Sequence, residues 1–448
     1  MDQEIIPNYY AEHLAEINEQ NPVVTTQDLC NSLGAMVIPA GTYVTQDVAD
    51  RIARFKLSYP LELQVSLETS ISPNQLFSDI LFTRKNFFGA SSHQAATKEI
   101  VRQCGLLNAY PLLAQKLTVF ADRLPEKYGD TQSAAGFAVL IGLHLGLSDE
   151  SMEVVFAAAQ MHSTGLLNVN PEKINNFNSL TFDEQIALQQ DQLSLGKAFL
   201  DGISGLTKKV GRAVYQHNER KDGSGWPEGI IGDKHSIESQ VVGVGVLLHE
   251  TYSKKLKPRG YGTRHLLPLL QIEGEGIDSN VFASTLEVLR QGALGNAQLI
   301  PNEFMPNLST YLLKIQVVLR SWLESAKYYV NEMEGIHSSL ATRRAISIIE
   351  SLEELNRNSG LWEDNIVNWL ESVVSNERKE DYADVETVAL MFESIHSKFK
   401  CLQWSIHQAA LTIDDNWVTK SGELADILNT LPGDYFDEFE SYLYKSTA

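Results

Sequence analysis

At 448 residues the chain is longer than one ordinary core organises, so roughly two to four domains are expected. Hydrophobic residues make up 43% and charged ones 21%, the balance of a globular protein, and a formal net charge of -21 excludes general binding to the DNA or RNA backbone. The longest apolar run, Phe137 to Leu147, is broken by Gly142, His144 and Gly146 and falls short of a bilayer span, so no membrane span is expected.

The acidic start, Met-Asp-Gln-Glu-Ile-Ile, has neither the basic nor the apolar region of a signal peptide, which points to the cytoplasm. Cys30, Cys104 and Cys401 lie far apart with no Cys-x-x-Cys spacing and read as reduced, mostly buried thiols. The first 22 residues predict a short helical lead ending at Asn21-Pro22, because the residue before proline is pushed away from helix. Met36-Val37-Ile38 reads as a short strand followed by a Pro-Ala-Gly-Thr turn. Thr45 caps a predicted helix holding Val48, Ile52 and Phe55, and Leu61 to Val65 alternates as a strand with one exposed face. Residues 1–72 thus predict a lead helix and a small α+β module for docking or sensing, since no ionisable cluster suited to chemistry occurs there.

Residues 73–292 are helix-rich and hold every recognisable motif. Beyond them, 293–448 repeats apolar residues at Leu308, Leu312, Ile315, Leu319 and Trp322, and again at Val385, Val388, Phe392, Ile395, Phe399, Leu402 and Ile406. Steps of four and three make a seam that buries against other helices, with Ile346, Ile349, Leu352, Leu355, Ile366, Trp369 and Leu370 as candidates. The fold class is therefore mainly α, with a C-terminal helical bundle that either packs on the middle domain or forms a homo-oligomer.

The most specific stretch runs His217-Asn218-Glu219-Arg220-Lys221-Asp222-Gly223-Ser224-Gly225-Trp226-Pro227-Glu228-Gly229. Gly223 and Gly225 permit unusual backbone angles and Pro227 fixes the exit, so a rigid surface loop is expected. Arg220 and Lys221, with Lys208, Lys209 and Arg212 shortly before, form a local basic patch in an acidic chain. Cations beside the Trp226 ring suit a planar anionic ligand, held by ion pairing and stacking. The plain alternative is a loop that only joins two helices.

This stretch resembles the signature of HD-GYP domains, in which a His-His-Glu run precedes Asp-Gly-x-Gly-Tyr-Pro. The resemblance covers roughly Phe120 to Arg290, including the Ile237 to Tyr252 helix and the Lys257-Pro258-Arg259-Gly260-Tyr261 turn, similar to the family's Arg-Pro-Tyr segment. It implies an all-helical phosphohydrolase-like domain and an activity, hydrolysis of cyclic di-GMP at two or three bridged metals, that needs several convergent His, Asp and Glu ligands. The family's Ala-x-x-His-Asp-x-Gly-Lys corresponds to Ala159-Gln160-Met161-His162-Ser163-Thr164-Gly165-Leu166, which keeps His162 and Gly165 but puts Ser163 at the bridging aspartate and Leu166 at the lysine. The early His-Ser falls at Gln132-Ser133, the mid-domain histidine at Asp191 or Gln192, the second tandem histidine at Asn218, and the late aspartate at Val246.

The resemblance therefore implies a degenerate domain with no catalytic residue, metal or cofactor. Of the residual ligand positions His162, His217 and Glu219, the two histidines could share one metal with Glu219 or Asp191, or they could be packed and hydrogen-bonded. Glu219 and Asp222 are read as braces for Arg220 and Lys221 or as helix caps, and His249 and Glu250 as marking a helix surface. The expected function is a non-catalytic regulatory or scaffolding protein of bacterial signalling that acts through contacts of the loop Arg220, Lys221, Asp222, Gly223, Gly225, Trp226 and Pro227. A diguanylate cyclase domain or another signalling protein is the partner that the resemblance implies, and cyclic di-GMP itself could bind that loop. The alternative is a metal-dependent cyclic di-GMP phosphodiesterase with a rearranged metal site.

Overall fold

A computed structural model of the chain describes residues 8–84, 93–292, 298–334 and 339–428. It divides into two compact units, one comprising residues up to His217 together with Ser236–His249, the other Asn218–His235 together with everything from Glu250 onward. These units divide the chain elsewhere than the boundaries expected at 72 and 292. The fold is mainly helical, as the sequence predicts, with four short strands among the described residues, and no described helix is long and apolar enough to cross a membrane.

The first unit opens with helix α1 (Tyr9–Ile17), whose Tyr10, Ala11 and Leu14 are buried. Residues 1–7 of the expected lead lie outside the described residues. Strands β1 (Val23–Thr25), β2 (Leu29–Cys30), β3 (Met36–Ile38) and β4 (Val65–Leu67) form two antiparallel pairs, β1 with β4 and β2 with β3. Between them α2 (Gln46–Ile52) follows Thr45 at the N-cap position, and the strand expected over Met36–Ile38 is present. Two local expectations fail. Phe55 lies beyond the end of α2 and is 43% exposed. Leu61 to Val65 is not a strand with an exposed face: Pro60 leads into a 3-10 turn over Leu61–Leu63, and Glu62 and Gln64, the polar positions of the alternation, are buried. Glu62 is drawn inward because its carboxylate meets the Lys116 ammonium at 2.8 Å and Asn168 Nδ2 at 2.7 Å.

The larger helices of this unit are α3 (Pro73–Arg84), α4 (His93–Cys104), α5 (Pro111–Arg123), α6 (Pro125–Leu145), α7 (Asp149–Met161), α8 (Phe182–Gly202), α9 (Lys208–Gln216) and α10 (Ile237–Glu250). Their ends are written locally. Proline stands at the first turn of α5 and α6, where its missing N–H costs nothing. Ser148 caps α7, Thr181 and Glu184 form a reciprocal capping box on α8, and Thr207 caps α9. Phe120, Phe137, Phe156 and Phe199 are fully buried in the core. His249, expected on a helix surface, is 6% exposed because its ring meets Asp130 at 2.9 Å.

The second unit holds α11 (Leu266–Ile272), α12 (Ser279–Gly292), α13 (Met305–Glu334), α14 (Leu340–Ser359), α15 (Asp364–Asn376), α16 (Tyr382–Leu411) and α17 (Asp415–Leu428). Helix α16 packs on α11, α13, α14 and α17, so residues before 292 and after 298 share one core. All twelve seam positions predicted on α13 and α16 are at most 8% exposed, and the Trp322 ring meets Phe399 edge-on at 5.4 Å. Among the thiols Cys104 is buried but Cys401 is exposed, against the expectation of burial. The Lys257–Arg259 turn is held by Arg259, which donates from both terminal nitrogens to Glu393 at 2.6 and 2.8 Å.

Candidate functional site

The loop Asn218–His235 belongs to the second unit, and its side chains are spent largely on holding its own shape. Glu219, 4% exposed, accepts backbone N–H groups from Glu228 and Gly229 on Oε1 and from Ile230 on Oε2. Burial raises the pKa of this carboxyl, while those N–H groups and the nearby Arg344 charge pull it down. Both oxygens therefore brace the loop backbone, rather than Arg220 and Lys221 as the sequence suggested. Asp222 accepts from the backbone N–H and the hydroxyl of Ser224, closing an Asx turn.

The cations are committed too. Arg220 pairs through Nη1 with Glu273 at 2.9 Å and donates through Nη2 to the Glu273 carbonyl at 2.9 Å. Lys221 pairs with Asp278 at 3.0 Å, and its backbone N–H donates to Gly276. Burial opposes ionisation of Glu273, but the Lys398 and Arg220 cations outweigh it and hold the carboxyl down at about 2. Within the first unit, Lys208 donates to the Asp201 carbonyl and Lys209 pairs with Glu150 at 2.6 Å.

The glycines serve different ends. Gly223 takes a positive φ of 82°, as predicted. Gly225 is needed for close approach instead: a Cβ there would fall 2.3 Å from the Arg220 nitrogen and 2.5 Å from Glu219 Cα. Its carbonyl accepts from Arg344 Nε at 2.8 Å, and Ser347 donates to the Asp222 carbonyl at 2.7 Å, so helix α14 anchors the loop at two points. The peptide joining Trp226 to Pro227 is cis, and both side chains are half-buried. Sequence reasoning missed Arg344 and Ser347, since partners 119 and 125 residues away leave no local signal.

The other residual ligand positions lie in the first unit. His162 and His217 are buried with ring centroids 5.2 Å apart, edge to face. Each holds a backbone carbonyl through Nδ1, His162 that of Ala159 at 2.8 Å and His217 that of Val214 at 2.7 Å. Gln132 is fully buried and Gln192 7% exposed, whereas Asp191 is exposed. Among the described residues neither amide atom of Gln132 or of Gln160 has a hydrogen-bond partner, nor has Gln192 Oε1. Ser163, Leu166 and Val246 are half-buried. Among the described residues no three His, Cys, Asp or Glu side chains gather where they could hold one metal ion.

With this geometry in place, the class of the central helices is defined by a family model described as an HD domain, which matches residues 115–281. The chain carries such a domain, with distant similarity to cyclic di-GMP phosphodiesterases. It is 31% identical over 108 residues to the cyclic di-GMP phosphodiesterase response regulator RpfG of Xanthomonas campestris pv. campestris, a match covering 24% of this chain and 28% of that one. It is 25% identical over 133 residues to the cyclic di-GMP phosphodiesterase PdeB of Borreliella burgdorferi, covering 27% and 33%. The chain thus spans about a third or less of the length of these relatives.

Proposed function

We propose that this HD domain is non-catalytic and works as a regulatory scaffold in cyclic di-GMP signalling, meeting a protein partner through the loop that carries Trp226. The observation that carries the reading is the fate of Glu219, whose two oxygens are both occupied by loop N–H groups. A carboxylate has about four acceptor sites, and three of those of Glu219 already hold the loop, which leaves little of it to bind a bridged cluster. Support comes from the neutral amides of Gln132 and Gln192 and from Ser163 and Val246, none of which brings charge to hold two cations together. The ion pairs of Arg220 and Lys221 favour the protein-contact version over nucleotide binding, because a phosphate would have to displace Glu273 and Asp278. A diguanylate cyclase domain is the partner class we propose to test first.

The experiment is metal analysis of the purified full chain after growth with iron and manganese, together with chromatography of cyclic di-GMP incubated with it. Substoichiometric metal and unchanged nucleotide are expected. Two metals per chain with release of linear dinucleotide would overturn the reading in favour of the phosphodiesterase alternative. Capture of partners by the tagged chain is expected to fail for Trp226→Ala while the melting temperature stays put.

A further inference from the structure

Within the second unit lies a cleft of about 560 Å³, lined by no residue of the motif loop and of the size that holds a small organic molecule. Leu323 and Trp362, 7% and 3% exposed, line it from the core side, and the exposed Arg320, Glu324, Glu363 and Asp364 line it toward solvent. Its walls are fixed. Arg320 and Glu324 stand one turn apart on α13, which packs on both α14 and α15. The chain leaves α14 through Gly360 at a φ of 64°, the Trp362 N–H donates to Asn356 Oδ1 at 3.0 Å, and α15 begins at Asp364.

The polar groups of this cleft are unspent. In the motif loop of the same unit Arg220 and Lys221 are held by Glu273 and Asp278, but among the described residues Arg320 has no ion-pair or hydrogen-bond partner, not even Glu324 on the next turn. Glu324 has the Lys327 ammonium at 3.8 Å, and that cation sits closer to Glu353, at 2.5 Å. The side chains of Glu363 and Asp364 have no such partner among the described residues either, and Glu363, at the N-cap of α15, makes no side-chain cap bond. The indole Nε1 of Trp362 is buried without an acceptor among the described residues, a state that is costly unless something supplies one.

These groups define their complement. The donors, Arg320 and the Trp362 indole, ask for a carboxylate or carbonyl, and the uncapped start of α15 favours the same sign. The carboxylates of Glu324, Glu363 and Asp364 outnumber the one guanidinium, so the ligand carries net positive charge. They do not converge as ligands to one metal ion would, which suits an organic cation whose N–H groups are spread in space. We infer that the cleft binds a basic α-amino acid, free or as a residue of a peptide: its carboxylate or carbonyl accepts from Arg320 and Trp362, and its cationic side chain meets Glu324, Glu363 and Asp364.

The test is calorimetric titration of the full chain with L-arginine, L-lysine and N-acetyl-arginine N-methylamide, beside L-glutamate and L-alanine. The basic compounds are expected to bind and the other two are not. Binding of the capped compound assigns the site to a peptide, and binding of the free amino acids alone assigns it to a metabolite. Arg320→Ala and the double variant Glu363→Gln/Asp364→Asn should each weaken binding about tenfold or more at unchanged melting temperature. In a chain labelled with ¹⁵N-tryptophan, the indole signal that Trp362→Phe removes should shift on titration. Absence of binding by all three basic compounds at millimolar concentration, or binding indifferent to both sets of variants and to the Trp362 signal, would overturn the proposal.

Discussion

Glu219 and His13 are buried ionisable groups with opposite consequences. Glu219→Ala strands three backbone N–H groups and removes an opposing charge that acts on Arg344. A loss of about 2–4 kcal/mol in the second unit is expected, read as a lower urea midpoint at unchanged slope. His13 is 7% exposed, and neither ring nitrogen has a hydrogen-bond partner among the described residues. Burial, reinforced by the Arg123 and Lys116 charges, lowers its pKa from 6.5 to about 4. A depressed histidine binds its proton more readily in the unfolded chain. Its contribution is therefore complete above pH 6.5 and is lost as the pH falls toward about 4, worth on the order of 3 kcal/mol over that window. The His13→Leu chain should lose that part of the acid sensitivity in melts collected between those pH values.

At the scale of elements, the N-terminal module and the helices of the first unit are joined by a charge buried from water. Lys116 and Glu62 side chains are 1% and 4% exposed, and the ammonium also donates to Asn168 at 2.9 Å and lies 3.9 Å from the centre of the Tyr10 ring. Lys116→Met leaves Glu62 without its counter-charge and should cost about 3–5 kcal/mol, whereas Lys116→Met with Glu62→Leu should recover most of that loss in thermal melts. Nothing in the sequence marks this pair. Lys116 falls on an amphipathic helix where lysine ordinarily faces water, and Glu62 within an alternation that reads as a strand. The helical seams were legible because Leu308 to Trp322 and Val385 to Ile406 repeat at a spacing that only one burying face explains. The loop was legible as rigid, since Gly223, Gly225 and Pro227 act on their own backbone. What its charges do was not, because Glu273, Asp278 and Arg344 meet it only through tertiary packing.

Over the whole molecule, the chain crosses between its compact units more often than a sequence boundary suggests. It leaves the first at His217, contributes residues 218–235 to the second, and returns for Ser236–His249. The HD-domain match over residues 115–281 therefore draws on both units. A distant likeness in sequence over that span carries the domain's helices but not the contacts its motif loop makes with α14, which lies beyond the matched residues.

That anchoring sets a limit on dissection. A chain cut after Gly292 would forfeit the guanidinium and hydroxyl that clasp the carbonyls of Gly225 and Asp222, so the signature segment would survive in sequence and lose two of the anchors that fix its shape. Under the proposed contact through Trp226, binding and the integrity of the distal helices would be a single heritable trait: a lesion in α14 would register as a binding defect far from any residue a partner touches.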